Sequence, residues 1–153
     1  MNENSAGPWF DLALEVRDYE LDLQGIVNNA IYFHYYEHAR HAFITARGLS
    51  IAAMHEAGLD PVVYRAEIDY REPLRSGDRF LVRVRASTEG RLKLVFEERI
   101  VKQVRGQGGG ERECSRARFV IALTKGGRPL PIPADLGDAL RDPVQAVAAS
   151  REG

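Results

Sequence analysis

One stretch of the chain constrains its fold more than any other. From Ala30 to about Arg47, the residues Tyr32, Tyr35, Tyr36, Ala39, Phe43 and Ala46 recur at helical spacing, and Phe33 and Ile44 widen the apolar arc. Gly48 supplies the stop. A helix apolar over so much of its circumference needs more than one neighbour to cover it, and a curved sheet does that. The strands are there to build one. Phe10, Leu12, Leu14 and Val16 alternate with Asp11, Glu15 and Arg17. Tyr64, Ala66, Ile68 and Tyr70 alternate with Arg65, Glu67, Asp69 and Arg71, and Phe80, Val82 and Val84 alternate with Arg83 and Arg85. Two more strands are expected over 92–104, after the Glu89-Gly90 turn, and over 114–124, after a flexible hairpin turn from Gly106 to Gly110. Ser50 and Gly58 bracket a short second helix, Ile51 to Glu56. Strand, long helix, then four strands in meander order is an α+β architecture: a five-stranded antiparallel sheet wrapped around one long central helix. Its uncovered flank predicts pairing with a second copy.

A length of 153 residues suits one domain with a complete core. Its 21 basic and 22 acidic residues give a formal net charge of −1, so no overall field recruits nucleic acid or anionic lipid. The opening Met1-Asn2-Glu3-Asn4-Ser5 lacks the apolar stretch of a signal peptide, and no later run suits a membrane span. The single cysteine, Cys114, excludes an intrachain disulfide and fits a reducing compartment, so a cytoplasmic protein is expected. After Pro129 a weak helical stretch from Ala134 to Arg141 precedes a tail expected to fray.

Between the first strand and the long helix lies Leu21-Asp22-Leu23-Gln24-Gly25-Ile26-Val27, which has neither period, followed by Asn28-Asn29, a pair suited to capping a helix. The run from Arg17 to Tyr32, continued by Tyr36-Glu37-His38-Ala39-Arg40, resembles the signature of hot-dog-fold thioesterases of the 4-hydroxybenzoyl-CoA thioesterase type, and is similar also to plant plastid acyl-lipid thioesterases. The likeness extends to Ile68-Asp69-Tyr70-Arg71-Glu72-Pro73-Leu74-Arg75-Ser76-Gly77-Asp78, and the element order matches from about residue 10 to 125. It implies one hot-dog domain over 1–153, with its core at about 10–125 and a tail at about 130–153. It also implies hydrolysis of an acyl-CoA to free acid and coenzyme A, with a fatty or otherwise hydrophobic acyl group, no cofactor, and a homodimer or homotetramer. Acyl carrier protein is the rival carrier, and a non-catalytic acyl-thioester-binding protein is the alternative class. A dehydratase of this fold would show a loop histidine beside Phe-Pro-Gly, and neither occurs.

The resemblance places the site at Asp22, Gly25, Ile26, Val27, Asn28 and Asn29, with Asp22 as general base or as nucleophile. Read from the residues alone, an acid, a glycine free to take positive φ and a helix start would set unpaired N–H groups beside a carboxylate. Such donors stabilise the oxyanion that a thioester carbonyl becomes. Many relatives carry histidine after the glycine, where this chain has Ile26, so chemistry needing that imidazole is not expected. Asp18 competes with Asp22, but its place at a strand end favours a structural bond.

Other candidates are weaker. His34-Tyr35-Tyr36-Glu37-His38 matches the H-x-x-E-H zinc pattern, yet no third ligand follows and no metal is expected. Glu37 has Arg40 and His41 at helical pairing distance. Cys114 reads as a small buried hydrophobe. The Gly106 to Gly110 run lacks the Gly-Lys-Ser/Thr of a phosphate loop. Arg71, Arg75, Arg91 and Lys93 fall near strand ends and are the candidate contacts for coenzyme A phosphates.

Overall fold

The computed structural model describes residues 6–104 and 106–142. In chain order the elements are β1 (Phe10–Glu15), α1 (Ile31–Ala46), α2 (Ile51–Glu56), β2 (Asp60–Tyr70), β3 (Arg79–Glu89), β4 (Lys93–Gln103), β5 (Glu111–Lys125), β6 (Arg128–Pro129) and α3 (Ala134–Arg141). A short 3-10 turn, Asp18–Glu20, stands between β1 and α1. The strands form one antiparallel sheet in the order β1-β3-β4-β5-β2, with the two-residue β6 on β5. The sheet curls around α1, the hot-dog architecture that the sequence implied.

Alternation decides which face of each strand meets the helix. Phe80, Val82, Val84 and Ala86 of β3 and Leu94, Phe96 and Ile100 of β4 bury against Tyr32, Tyr35, Tyr36, Ala39 and Phe43 of α1. Phe43 stands edge-on to Phe10 at 5.8 Å and to Phe96 at 5.6 Å. Each such large side chain contributes on the order of 1.5–3 kcal/mol through burial. Two polar links tie the helix to the sheet inside this core: Tyr36 donates to Ser115 Oγ at 2.7 Å, and Arg40 meets Glu98 at 2.9 Å. Arg40 therefore turns inward to a partner on β4, not along the helix to Glu37, which instead lies 3.9 Å from His41 on the exposed face.

The meander expectation holds for β3, β4 and β5 and fails for β2. One edge of β3 is taken by β1, through pairs from Phe10↔Val84 to Glu15↔Arg79, and the other by β4. With both edges of β3 taken, β2 lies on the outer edge of β5. The 71–78 connection crosses the strand ends: the N–H groups of Arg71 and Glu72 both donate to the Cys114 carbonyl, and Lys102 Nζ to that of Pro73. β2 also starts earlier than its alternation suggests, at Asp60, and tolerates Pro61 because an edge strand has one unpaired side. β5 likewise starts at Glu111 rather than at Cys114. α3 falls where its weak period put it and buries Leu140. The fraying expected of the last residues lies outside the described residues.

Candidate active site

The segment between β1 and α1 is held as a closed loop. Leu21 and Val27 bridge across it, with Asp22 N–H donating to the Ile26 carbonyl at 2.8 Å and Gly25 N–H to the Asp22 carbonyl at 3.1 Å. Gly25 sits at φ 76°, the left-handed region that a glycine enters without strain, as its position in the sequence suggested. Asp22 Oδ1 accepts the Gln24 N–H at 2.8 Å, so the side chain stiffens the turn that presents it. Its other oxygen has no partner among the described residues, and the residue is half-buried.

The N–H groups at the helix start are mostly spoken for. Val27 donates to Leu74, Asn28 to Glu20 and Ile31 to Asn28, each at a backbone carbonyl, while Ala30 donates to Asn28 Oδ1 at 2.9 Å. The N–H of Asn29 has no partner among the described residues. Its carbonyl accepts the Tyr70 hydroxyl of β2 at 2.9 Å, which fixes the plane of the peptide unit that follows. The capping expected of Asn28-Asn29 thus occurs one step early. Ala30, in helical conformation, is the cap position and has no side-chain cap, whereas Asn28 closes a turn just ahead of the helix. Asn29 and its side chain remain exposed beside the positive end of α1. Ile26 is half-buried and Val27 buried; both serve the loop through their backbones.

Two supports of this loop were not foreseen. Glu20, buried, accepts the Arg17 N–H at 2.8 Å and the Tyr35 hydroxyl at 2.9 Å on Oε1. Burial, joined by the Glu20 carboxylate, pushes the Tyr35 phenol well above its ordinary range, so it stays a donor. The three-residue spacing of Arg17 and Glu20 is the readable half of this arrangement, since a glutamate at the third position often reaches back to the cap N–H. Tyr70 is the second support; it lies on the apolar alternation of β2 and within the second motif, but neither signal points to a bond with the loop. Asp18 accepts a hydrogen bond from the Ser76 hydroxyl, the structural bond expected of it.

The two sequence motifs meet here. Ile26 bridges to Arg75, and Leu74 offers its carbonyl to Val27 and its N–H to the Tyr32 hydroxyl. Arg75 is exposed beside the loop, and its guanidinium has no partner among the described residues. Arg71 lies nearby but is paired to Glu113 at 2.9 Å, a carboxylate that Arg116 also approaches at 3.1 Å. Arg91 and Lys93 follow the far end of β3, an 11-residue strand that begins just after Arg75 and leads away from the loop. His34, Glu37, His38 and His41 are exposed on α1, and among the described residues no group of three possible metal ligands stands together. Cys114 is buried, which pushes its thiol up to about 11, so it is a poor nucleophile. Among the described residues no helix is long and apolar enough to cross a membrane.

Known proteins share this fold. The chain is 38% identical over 96 residues to a chloroplastic acyl-acyl carrier protein thioesterase of Arabidopsis thaliana, 63% of this chain and 51% of that protein. It spans about half the length of the plant relatives it matches. The structure of a 1,4-dihydroxy-2-naphthoyl-CoA thioesterase from Synechocystis superposes with a TM-score of 0.79 at 18% identity, covering 88% of this chain and 97% of that one. For the 4-hydroxybenzoyl CoA thioesterase from Pseudomonas the TM-score is 0.75 at 16% identity, covering 86% and 98%. At such identities these two speak for the fold alone. A match to the family described as the thioesterase-like superfamily runs over residues 16–140, from just after β1 through the loop, α1 and the strands β2 to β6, and the chain belongs to that superfamily.

Proposed function

We propose that the protein hydrolyses acyl thioesters of coenzyme A, releasing a free acid, and that the acyl group is fatty or otherwise hydrophobic. The observation that carries this reading is the presence, on one closed segment, of an Asp22 oxygen and an Asn29 N–H that have no partner among the described residues. In the reaction, oxygen is added to the acyl carbon, the carbonyl oxygen gains charge, and the carbon–sulfur bond breaks as the thiolate leaves and is protonated. Asn29 N–H, at the positive end of α1, is the donor for that oxyanion. Asp22 either takes the proton of the attacking water or attacks the carbonyl itself, giving a mixed anhydride that water then opens. Gly25 holds the turn, and Ile26, Val27 and Asn28 form its backbone frame. Apolar side chains left open near the loop, Leu23, Phe33 and Tyr70, favour a hydrophobic acyl group. The lone buried Cys114 agrees with action in a reducing compartment, the cytoplasm.

Arg75 is the first candidate for a coenzyme A phosphate, because it is exposed beside the loop and unpaired among the described residues. Arg75→Ala is expected to raise KM for an acyl-CoA roughly 5- to 100-fold with little change in kcat, since a phosphate far from the reacting carbon contributes uniform binding. Acyl-pantetheine should be indifferent to the same change. The plant relatives' names favour acyl carrier protein as a second reading. If acyl carrier protein outperforms acyl-CoA, or acyl-pantetheine equals it, that reading replaces the first.

The assembly is at least a homodimer in this reading. β2 is an edge strand on which Val62, Val63, Tyr64 and Tyr70 are 46%, 43%, 53% and 47% exposed, an arrangement that invites pairing with another chain. A second copy also gives Arg91 and Lys93 a route to a substrate held by its partner. Sedimentation at micromolar concentration should show a dimer or tetramer; a fully active monomer would contradict the shared assembly.

A further inference from the structure

We propose that Glu20 is the positioning residue of the Asp22–Asn29 loop, acting with Tyr35; the assignment rests on the thioesterase reading of that loop. Glu20 is one of four polar or charged residues buried among the described residues, with Arg40, Glu98 and Ser115. The other three belong to the links between α1 and the sheet, and among the described residues their side chains make no hydrogen bond to the loop. Glu20 does the opposite. Its Oε1 accepts the Arg17 N–H, which fixes the entry to the loop, and the Tyr35 hydroxyl, which fixes both to α1. Its carbonyl accepts the Asn28 N–H at 3.0 Å, which fixes the exit one residue before the candidate oxyanion donor. A single residue therefore joins the two ends of the loop and the helix on which the exit must be aligned.

The anchor is stiff. Tyr35 is buried, and its ring lies 4.8 Å from that of Phe80 on β3. Glu20 has no basic side chain within ion-pair distance among the described residues, since the Arg17 guanidinium goes to the Tyr19 hydroxyl instead. A buried carboxylate without a counter-charge is a poor means of stabilising a fold. What this one does well is accept two donors at one oxygen, which a glutamine can also do and an alanine cannot. Loss of the contact would let Asn28 and Asn29 swing relative to Asp22, and misplacement of such groups by about 1 Å costs as much as 100-fold in rate.

The test is a set of variants read by kinetics and by amide hydrogen exchange. Glu20→Ala is expected to lower kcat at least about tenfold with KM within about threefold, and Glu20→Gln to recover most of that loss. Tyr35→Phe should lower kcat in the wild-type background and add nothing to Glu20→Ala, as members of one contact do. Exchange at the Asn28 N–H should accelerate in Glu20→Ala and Tyr35→Phe but not in Tyr36→Phe, which breaks a buried bond of the core alone. If Glu20→Ala does not fold, Tyr35→Phe and Glu20→Gln decide the matter by the same two readouts. Unchanged kcat and unchanged Asn28 exchange in a folded Glu20→Ala or Tyr35→Phe protein would overturn the proposal. Should the wild type release no thiol at all, the thioesterase reading fails, and the exchange result still tells whether Glu20 holds the loop.

Discussion

Asp22→Asn should lower thioester turnover by at least about 100-fold while leaving the affinity for an unreactive acyl-CoA analogue within a few-fold. The substitution is well placed to isolate chemistry from shape. Among the described residues the only bond of the Asp22 side chain is the one it accepts from the Gln24 N–H, and the asparagine oxygen can keep it, so the turn and the φ of Gly25 persist. What is lost is the charge that would deprotonate water or attack the carbonyl. Asp18→Asn is the matching control, since its bond from the Ser76 hydroxyl also survives the change. Wild-type turnover in the Asp22 variant would remove that residue from the mechanism, and an equal loss in a folded Asp18 variant would make the two indistinguishable.

The second large effect is on stability. Arg40→Ala removes the donor of a buried pair and leaves Glu98, fully enclosed, with neither oxygen bonded, because Oε1 already has no partner. Where Glu98 is ionised, above about pH 8, breaking such a buried pair from one side typically costs about 3–5 kcal/mol. The packing of the guanidinium over Phe119, 4.1 Å from its centroid, is lost as well. The pair also makes stability depend on pH. Burial pushes Glu98 up to about 8, against the pull of Arg40, whereas an unfolded glutamate titrates near 4.5. The folded chain therefore holds this proton more tightly than the unfolded chain. Its contribution is fully present below about pH 4.5 and is lost as pH rises to about 8. Glu98→Gln removes that titration. Urea midpoints at pH 5 and pH 8.5 should show the wild type losing stability relative to the Gln variant by a few kcal/mol over that interval. A difference independent of pH would mean that Glu98 is ionised in the folded protein throughout.

Local chemistry made the helix and the turn readable. The apolar positions of α1 recur over 16 residues, long enough to identify both the element and its inner face. Asp22 and Gly25 announce a turn because one supplies an acceptor two residues upstream of a backbone donor and the other a left-handed conformation. What stayed hidden depends on contacts distant in the chain. Helix spacing offers Glu37 both Arg40 and His41, and His41 is the one beside it; the partner of Arg40 is 58 residues away, on β4, where counting along a helix does not reach. The place of β2 could not be read from its own alternation, since which edge it joins depends on β1 having occupied β3. Glu20 lies 15 residues from Tyr35, so the strongest support of the candidate site became visible only once the helix was packed.

The most direct measurement is thiol release by the purified protein from acyl-CoAs of short, medium, long and aromatic acyl groups, with the free acid quantified in the same reaction. Hydrolysis predicts many turnovers per protein chain, one thiol and one acid for each thioester consumed, a preference for hydrophobic acyl groups, and near silence from Asp22→Asn. Saturable binding of the same acyl-CoAs without release of thiol from any of them would contradict it, and would identify the chain as an acyl-thioester-binding protein of the same fold.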